Sequence, residues 1–89
     1  MNAIETQIVA AIRKSDRSSR ITTVCRYSVN TGSRKVRACA LCGAWVSSWS
    51  AAYPQTKSAA AAEAAHVAAH VAEVNASSLD AVLAAYGVR

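Results

Sequence analysis

The sequence predicts a small α+β domain, in which a β-hairpin packs on a long helix and a further helix flanks this unit on each side. Three observations lead to this prediction: β-branched stretches on both sides of "NTGS", a long alanine-rich run without glycine or proline, and two short apolar repeats near the ends. With 89 residues and no phenylalanine, the chain has material for one domain, residues 1–89, with a modest core. A domain of this size usually needs a metal, a disulfide or an oligomer partner for stability.

The first apolar repeat predicts a helix at the N-terminus. Ile4, Ile8 and Ile12 recur every four residues, so they share one face of a helix over residues 1–15. The polar stretch "RKSDRSSR" then serves as a connector. Neither the N-terminal segment nor any other stretch has the pattern of a signal peptide or a membrane span, so we expect no membrane association.

Two β-branched stretches predict the hairpin. "ITTVCRYSVN" and "RKVRACAL" flank "NTGS", and apolar and polar residues alternate through "CRYSV", as in a half-buried strand. We therefore expect the chain to turn near residues 30–33. The next stretch, "AWVSSWSAAYPQT", is predicted to be an additional short strand or a loop. A helix that aligns Trp45, Trp49 and Tyr53 is the alternative.

The alanine-rich run predicts the long helix. "TKSAAAAEAAHVAAHVAEVNA" consists almost entirely of good helix formers, with Thr56 or Ser58 available as N-cap, and completes a unit over residues 21–75. "SSLDAVLAAYG" predicts a last helix over residues 77–87, with Ser77 as N-cap and Gly87 as its end.

Two pairs of metal-binding residue types lie on these elements. Cys39 and Cys42 are separated by two residues and followed by Gly43, which suits a tight turn at the end of the second strand. His66 and His70 are four apart on the long helix, so both imidazoles project from one face. Two thiolates and two imidazoles form a tetrahedral ligand set that zinc prefers. We therefore predict one zinc ion held by these four residues.

At these residues the sequence resembles the two-Cys/two-His zinc fingers, over residues 21–75. The resemblance implies a ββα-like unit whose ligands are Cys39, Cys42, His66 and His70. The family usually has about twelve residues between the second cysteine and the first histidine, whereas this chain has 23. A regular DNA-reading helix therefore does not follow from the resemblance. The sequence is also similar to small zinc proteins of high-GC bacteria and their phages.

Cys25 is a third cysteine with three possible roles. If the hairpin pivots on Gly32, Cys25 lies directly across from Cys39. It could then replace one histidine as a metal ligand, or form a disulfide with Cys39 under oxidation. As a buried strand residue it would have neither role, and free cysteines are commonly buried. An odd number of cysteines is more typical of a reducing compartment, so we expect a cytoplasmic protein (in the bacterial host if phage-encoded).

Two glutamates lie near the histidines in sequence. Glu63 precedes His66 by three residues, and Glu73 follows His70 by three. Either carboxylate could accept a hydrogen bond from an imidazole and orient it toward a metal. The alternative is that both are solvated charges on the helix surface.

Positive charge is concentrated before the cysteine pair Cys39 and Cys42. Residues 13–37 contain eight basic residues and one acidic residue, whereas the chain after Ala38 contains two basic and three acidic residues. Such a patch attracts phosphates. We therefore predict a nucleic-acid-binding surface comprising Arg17, Arg20, Arg26, Arg34, Lys35 and Arg37.

The aromatic residues allow two interpretations. Tyr27, Trp45 and Trp49 could provide stacking surfaces for bases if they are exposed. Because the chain is poor in large apolar residues, we expect both tryptophans to lie in the core instead.

The sequence thus predicts a small zinc-binding protein that binds nucleic acid in a regulatory role. The alternative is a protein-interaction module, such as a phage-encoded factor that binds a host protein through the apolar stripes of the terminal helices. We predict no enzyme activity, because four protein ligands leave a zinc ion without an open position. The sequence leaves the oligomeric state open.

Overall fold

The computed structural model describes residues 2–15, 21–25 and 27–88. Its elements are α1 (Ala3–Lys14), β1 (Tyr27–Thr31), β2 (Arg34–Ala38), β3 (Trp45–Ser50), α2 (Lys57–Ala76) and α3 (Leu79–Ala85). The strands form one antiparallel sheet in the order β1-β2-β3. The predicted α+β class with a long helix is confirmed. The third strand, which was one of the alternatives for its stretch, extends the hairpin to a three-stranded sheet.

Polar side chains mark the beginning of each helix. Asn2, Thr56 and Ser78 precede α1, α2 and α3, and each accepts a hydrogen bond from a backbone N–H two or three residues further on, at 2.7, 3.1 and 3.1 Å. These bonds satisfy donors that have no partner inside the helix. Thr56 was one of the two predicted caps of the long helix, whereas the cap of the last helix is Ser78, one residue after the predicted Ser77.

The hairpin turn determines which residues face each other across β1 and β2. Thr31 pairs with Arg34, so the turn consists of Gly32 and Ser33, and Gly32 has φ +60°. A two-residue hairpin turn of this kind requires a positive φ, which glycine adopts without strain.

The register that results differs from the one expected for a pivot on Gly32. Tyr27 pairs with Ala38, so the same register places Cys25 opposite Ala40 rather than opposite Cys39. The backbone N–H of Ala40 donates to the carbonyl of Val24 at 2.7 Å, beyond the end of the paired strands. The expected position of Cys25 was therefore wrong by one residue, because the turn contains two residues instead of one.

A β-bulge in β3 separates the two tryptophans. Trp45 pairs with Ala38 and Ser47 pairs with Arg37, so one extra residue of β3 lies between these two pairs. Ala38 and Arg37 are adjacent and point to opposite faces of the sheet, and their partners therefore do the same. Without the bulge, Trp45 and Ser47 would share a face.

The two faces have different surroundings. Ser47 lies on the face toward α2, where its hydroxyl is 3.5 Å from the Glu63 carboxylate. Trp49 shares this face and is buried, with the Arg37 guanidinium 5.5 Å from its ring centroid. Trp45 is turned to the opposite face and is 66% exposed. The expectation that both tryptophans lie in the core is therefore confirmed for Trp49 and wrong for Trp45.

The main core lies where the helices meet the cysteine-bearing segments 21–25 and 39–42. Ile8 and Ile12 of α1 are fully buried there, and Val82 of α3 is 5% exposed. The apolar stripes of the terminal helices are thus used to cover these segments. Within the described residues, no helix is both long and apolar enough to cross a bilayer. The buried residues of this cluster are Ile8, Val9, Ile12, Ile21, Val24, Cys25, Cys39, Ala40, Leu41, Val74, Val82 and Val88.

The different positions of the tryptophans predict different effects on stability. Trp49→Ala should lower the free energy of unfolding by about 3–5 kcal/mol, because it removes a large buried side chain. Trp45→Ala should change it by no more than about 0.5–1 kcal/mol, because most of that side chain already contacts water. Urea unfolding of the two variants, followed by circular dichroism, measures the difference. Equal losses would contradict the assignment of the two faces.

Candidate metal centre

The two cysteines lie in a tight turn directly after β2. The backbone N–H of Cys39 donates to the carbonyl of Ala44, and the N–H of Gly43 donates to the carbonyl of Cys39, each at 2.8 Å. Gly43 has φ +79°, a conformation that other residues adopt only with strain. The N–H of Cys42 is 3.5 Å from the sulfur of Cys39. This turn therefore brings both thiol groups to the same side of the chain.

The two histidines project from one face of α2 toward these sulfurs. His66 and His70 are separated by one helical turn, and their ring centroids are 4.7 Å apart. Their Nε2 atoms are 3.1 Å apart. His70 is buried and His66 is half-buried. Both imidazoles thus direct the same nitrogen to one point between the helix and the turn.

The distances among the four side chains fit a tetrahedral zinc site. The Sγ of Cys39 lies 3.4 Å from Nε2 of His70, and the Sγ of Cys42 lies 3.3 Å from Nε2 of His66. With bonds of about 2.3 Å to sulfur and 2.0–2.1 Å to nitrogen, tetrahedral zinc holds two nitrogens about 3.3 Å apart and sulfur about 3.6 Å from nitrogen. All four donor atoms lie within 4.8 Å of one another. The cluster is therefore compatible with one metal ion such as zinc.

Glu73 connects the cluster to α3. Its Oε1 is 2.6 Å from Nδ1 of His70, and its Oε2 accepts a hydrogen bond from the Tyr86 hydroxyl at 2.8 Å. These two hydrogen bonds, first that of His70 and then that of Tyr86, lower the pKa of Glu73. An ionised Glu73 holds the proton of His70 on Nδ1, so Nε2 presents its lone pair to the cysteines.

Tyr86 was not predicted as part of the site. Its ring meets that of His70 edge to face, with centroids 5.2 Å apart. The glutamate could be suspected from its spacing to His70, but the tyrosine lies on another helix. Its contribution depends on how α3 packs on α2, which no local spacing reveals.

Glu63 does not have the role that its spacing suggested. It is 3% exposed, and its carboxylate accepts a hydrogen bond from Nε2 of Gln55 at 2.6 Å and lies 3.5 Å from the hydroxyl of Ser47. Glu63 therefore connects α2 to β3 and to the segment before the helix. It is neither a partner of His66 nor a solvated surface charge.

Cys25 lies beside the cluster but is outside the four-residue set. Its thiol hydrogen-bonds to the sulfur of Cys39, and this contact is the main cause that lowers the pKa of Cys39 to about 4. Backbone N–H groups of Cys42 and Leu41 act in the same direction, while burial opposes them. The same hydrogen bond raises the pKa of Cys25. Burial is the main cause that raises the pKa of Cys42. All three cysteines are free thiols.

The predicted basic surface is only partly described. Arg34 and Lys35 are exposed on β2, whereas Arg37 is half-buried beside Trp49. Adjacent strand residues point to opposite faces, so Arg34 and Lys35 do not share a face. Arg17, Arg20 and Arg26 lie outside the described residues.

No family model matches this sequence, and comparisons with curated proteins and with solved structures also find no match. The resemblance to two-Cys/two-His zinc fingers therefore remains limited to the ligand types, their order along the chain and their convergence in space.

The contact between Glu73 and His70 predicts a measurable effect on metal affinity. Glu73→Gln should weaken zinc binding about 10- to 100-fold, because an uncharged amide no longer stabilises the proton on Nδ1. Competition with a chromophoric chelator measures the affinity. Asp80→Asn, which removes an exposed carboxylate from α3, is the control and should bind zinc like the wild type. Equal affinities of all three proteins would exclude this role of Glu73.

Proposed function

We propose that this protein is a zinc-stabilised nucleic-acid-binding domain, in which Cys39, Cys42, His66 and His70 hold one zinc ion. The observation that carries the metal assignment is the convergence of two Sγ and two Nε2 atoms within 4.8 Å. Two sulfurs and two nitrogens are the donor set of structural zinc sites, and harder cations such as magnesium prefer oxygen.

The proposed role of the zinc ion is structural. Catalytic zinc sites keep a position for water or substrate, whereas four protein donors complete a tetrahedral shell. The neighbouring carboxylate of Glu73 is already engaged by His70 and Tyr86. This donor set supports a stabilising ion and no enzyme activity.

Zinc binding and core formation are coupled in this proposal. Cys39 and Leu41 belong to the buried cluster that also contains residues of all three helices. The ion would therefore connect the turn after β2 to α2 at the point where the core forms. In a chain of 89 residues, such a connection replaces the apolar contacts that a larger core would supply.

Metal content tests this assignment directly. Native mass spectrometry should find one zinc per chain, and a strong chelator should remove it together with most of the helical circular dichroism. Cys42→Ala should lose the stoichiometric metal. The matched variant Cys25→Ala should keep it, because Cys25 is outside the ligand set. A metal-free wild type that remains folded would refute the zinc assignment.

The proposed partner is nucleic acid, bound through the β1–β2 hairpin. Support comes from the net charge of +5 and from its concentration before Ala38. Arg34 and Lys35 of the hairpin are exposed to solvent, and phosphate contacts by such side chains release counterions from the nucleic acid. A reducing cytoplasm, which keeps thiolates free for the metal, is the proposed location.

The alternative, a module that docks on a host protein, has less support. Its motivation was the apolar stripes of the terminal helices. Ile8 and Ile12 are fully buried, and Val82 is 5% exposed, so these side chains are used inside the domain. The basic hairpin is therefore the better candidate for a binding surface.

Salt dependence tests the nucleic-acid proposal. Binding to an oligonucleotide should weaken steeply with salt, because each phosphate contact releases counterions. Arg34→Gln and Lys35→Gln should each reduce the slope of log K against log salt by about 0.7–0.9, as expected for one lost contact. Lys57→Gln, which removes an exposed charge from α2, should leave the slope unchanged. Fluorescence anisotropy at several salt concentrations measures all four proteins, and a flat profile for the wild type would exclude this function.

A further inference from the structure

A groove of about 180 Å³ lies on the face of the sheet opposite α2. Tyr27 and Trp45 form its two walls, Ala38 lies between them, and Val29 lines the groove beside Tyr27 on β1. We refer to it as the aromatic groove. Tyr27 is 46% exposed and Trp45 is 66% exposed, so both rings are accessible from solvent.

The strand register determines the width of the aromatic groove. Ala38 of the central strand pairs with Tyr27 on one side and with Trp45 on the other. Neighbouring strands are about 4.8 Å apart, so the backbones that carry the two rings are separated by roughly 9.6 Å. Ala38 forms the floor between the two walls and is itself only 2% exposed, so a ligand reaches the outer parts of the two rings rather than the floor. A flat ring stacks on both walls when their planes are about 6.8 Å apart, twice the spacing of roughly 3.4 Å between stacked bases, so the two side chains must incline toward each other to hold one base.

The bulge in β3 is what creates the second wall. It turns Trp45 away from α2 and onto the face that carries Tyr27. A chain without phenylalanine, which has only two tryptophans, thus places one of them in solvent instead of in its core. This arrangement indicates a use for the exposed ring other than stability.

A positive charge lies on the same face. Arg34 and Ser48 are both on the face opposite α2, and the Arg34 guanidinium donates to the Ser48 hydroxyl at 3.0 Å. Ser48 is three residues from Trp45 along β3, which corresponds to roughly 10 Å at the rise of an antiparallel strand. No carboxylate is among the described residues that line the groove. This face of the sheet therefore offers the aromatic groove to a base and the Arg34 guanidinium to a nearby phosphate.

We propose that the aromatic groove binds one unpaired base of a single-stranded nucleic acid, stacked between Tyr27 and Trp45, while Arg34 contacts a neighbouring phosphate. This proposal rests on the proposed function and specifies its ligand. In a duplex the base faces are covered by neighbouring pairs, so only an unpaired base can enter the groove. Stacking accepts every base, so little sequence preference is expected.

The groove also adjoins the metal centre. Cys39 and Gly43 of the cysteine turn line it, next to the wall formed by Trp45. The backbone conformation of this turn thus shapes one end of the groove. Chelation of zinc should therefore abolish stacking even if residual charge-driven binding persists.

The test compares nucleic acids of equal charge and different base accessibility. A fluorescein-labelled single-stranded dodecamer should bind the wild type more tightly than a duplex with the same number of phosphates. A single-stranded oligomer of abasic sites should bind more weakly than the dodecamer. Trp45→Ala should weaken binding of the single strand by about five- to a hundred-fold and leave duplex and abasic binding unchanged.

Tyr53→Ala provides the matched control. Tyr53 is 71% exposed and follows β3, outside the residues that line the groove. Its removal should leave binding of all three probes unchanged. Zinc content and circular dichroism of each variant should match the wild type, which separates loss of stacking from loss of fold.

The outcomes distinguish this proposal from the one on which it rests. If Trp45→Ala binds the single strand like the wild type while Arg34→Gln binds it more weakly, the base-stacking site is refuted and binding by charge remains. Equal affinity of the wild type for the single strand and the abasic oligomer would also refute stacking. If the wild type binds none of the probes at low salt, the nucleic-acid function itself is wrong.

Discussion

The convergence of two sulfurs and two imidazole nitrogens between the cysteine turn and α2 is the arrangement on which the other features depend. These atoms lie within 4.8 Å of one another although 23 residues lie between the second cysteine and the first histidine in the chain. Such proximity of polar donors is unfavourable without a shared proton or cation, because buried polar groups need partners. A cation that binds all four satisfies them together. The same contact holds the hairpin, through the turn, against the helical part of the molecule.

Neighbouring side chains orient the ligand atoms of this cluster. Glu73 engages Nδ1 of His70 and thereby leaves Nε2 for the cysteines, and Tyr86 holds the other carboxylate oxygen. The hydrogen bond from Cys25 lowers the pKa of Cys39 and so favours its thiolate. Four segments thus contribute hydrogen bonds to the cluster and its immediate partners: the segment that contains Cys25, the cysteine turn, α2 and α3. The core packs against one side of this cluster: Cys39 and Leu41 are buried with residues of α1 and α3, whereas Cys42 is half-buried and Gly43 is exposed.

The sheet connects the Cys/His cluster to the face on which we propose nucleic-acid binding. One extra residue in β3 reverses the direction of Trp45 while Trp49 stays buried next to α2. A β-bulge disrupts the hydrogen-bond ladder locally and changes the direction in which a side chain points. Bulges are frequent beside functional sites. Here it converts one tryptophan from a core residue into a wall of the aromatic groove. The cysteine turn ends the same groove, so the metal centre and the proposed base site share a backbone segment.

Local patterns in the sequence determined the elements and the residue types of the site. These patterns are the four-residue spacing in α1, the long run of helix formers in α2, and the Cys-x2-Cys and His-x3-His segments. Each involves residues close together in the chain, so the geometry of a single helix or turn predicts where their side chains lie. Tertiary structure alone decided the rest. The two-residue turn shifted Cys25 by one position, the bulge exposed Trp45, and the packing of α3 brought Tyr86 to Glu73. The bulge and the packing of α3 depend on contacts between residues distant in sequence, which no local periodicity encodes. The turn is local, but its length is visible only in the pairing of β1 with β2.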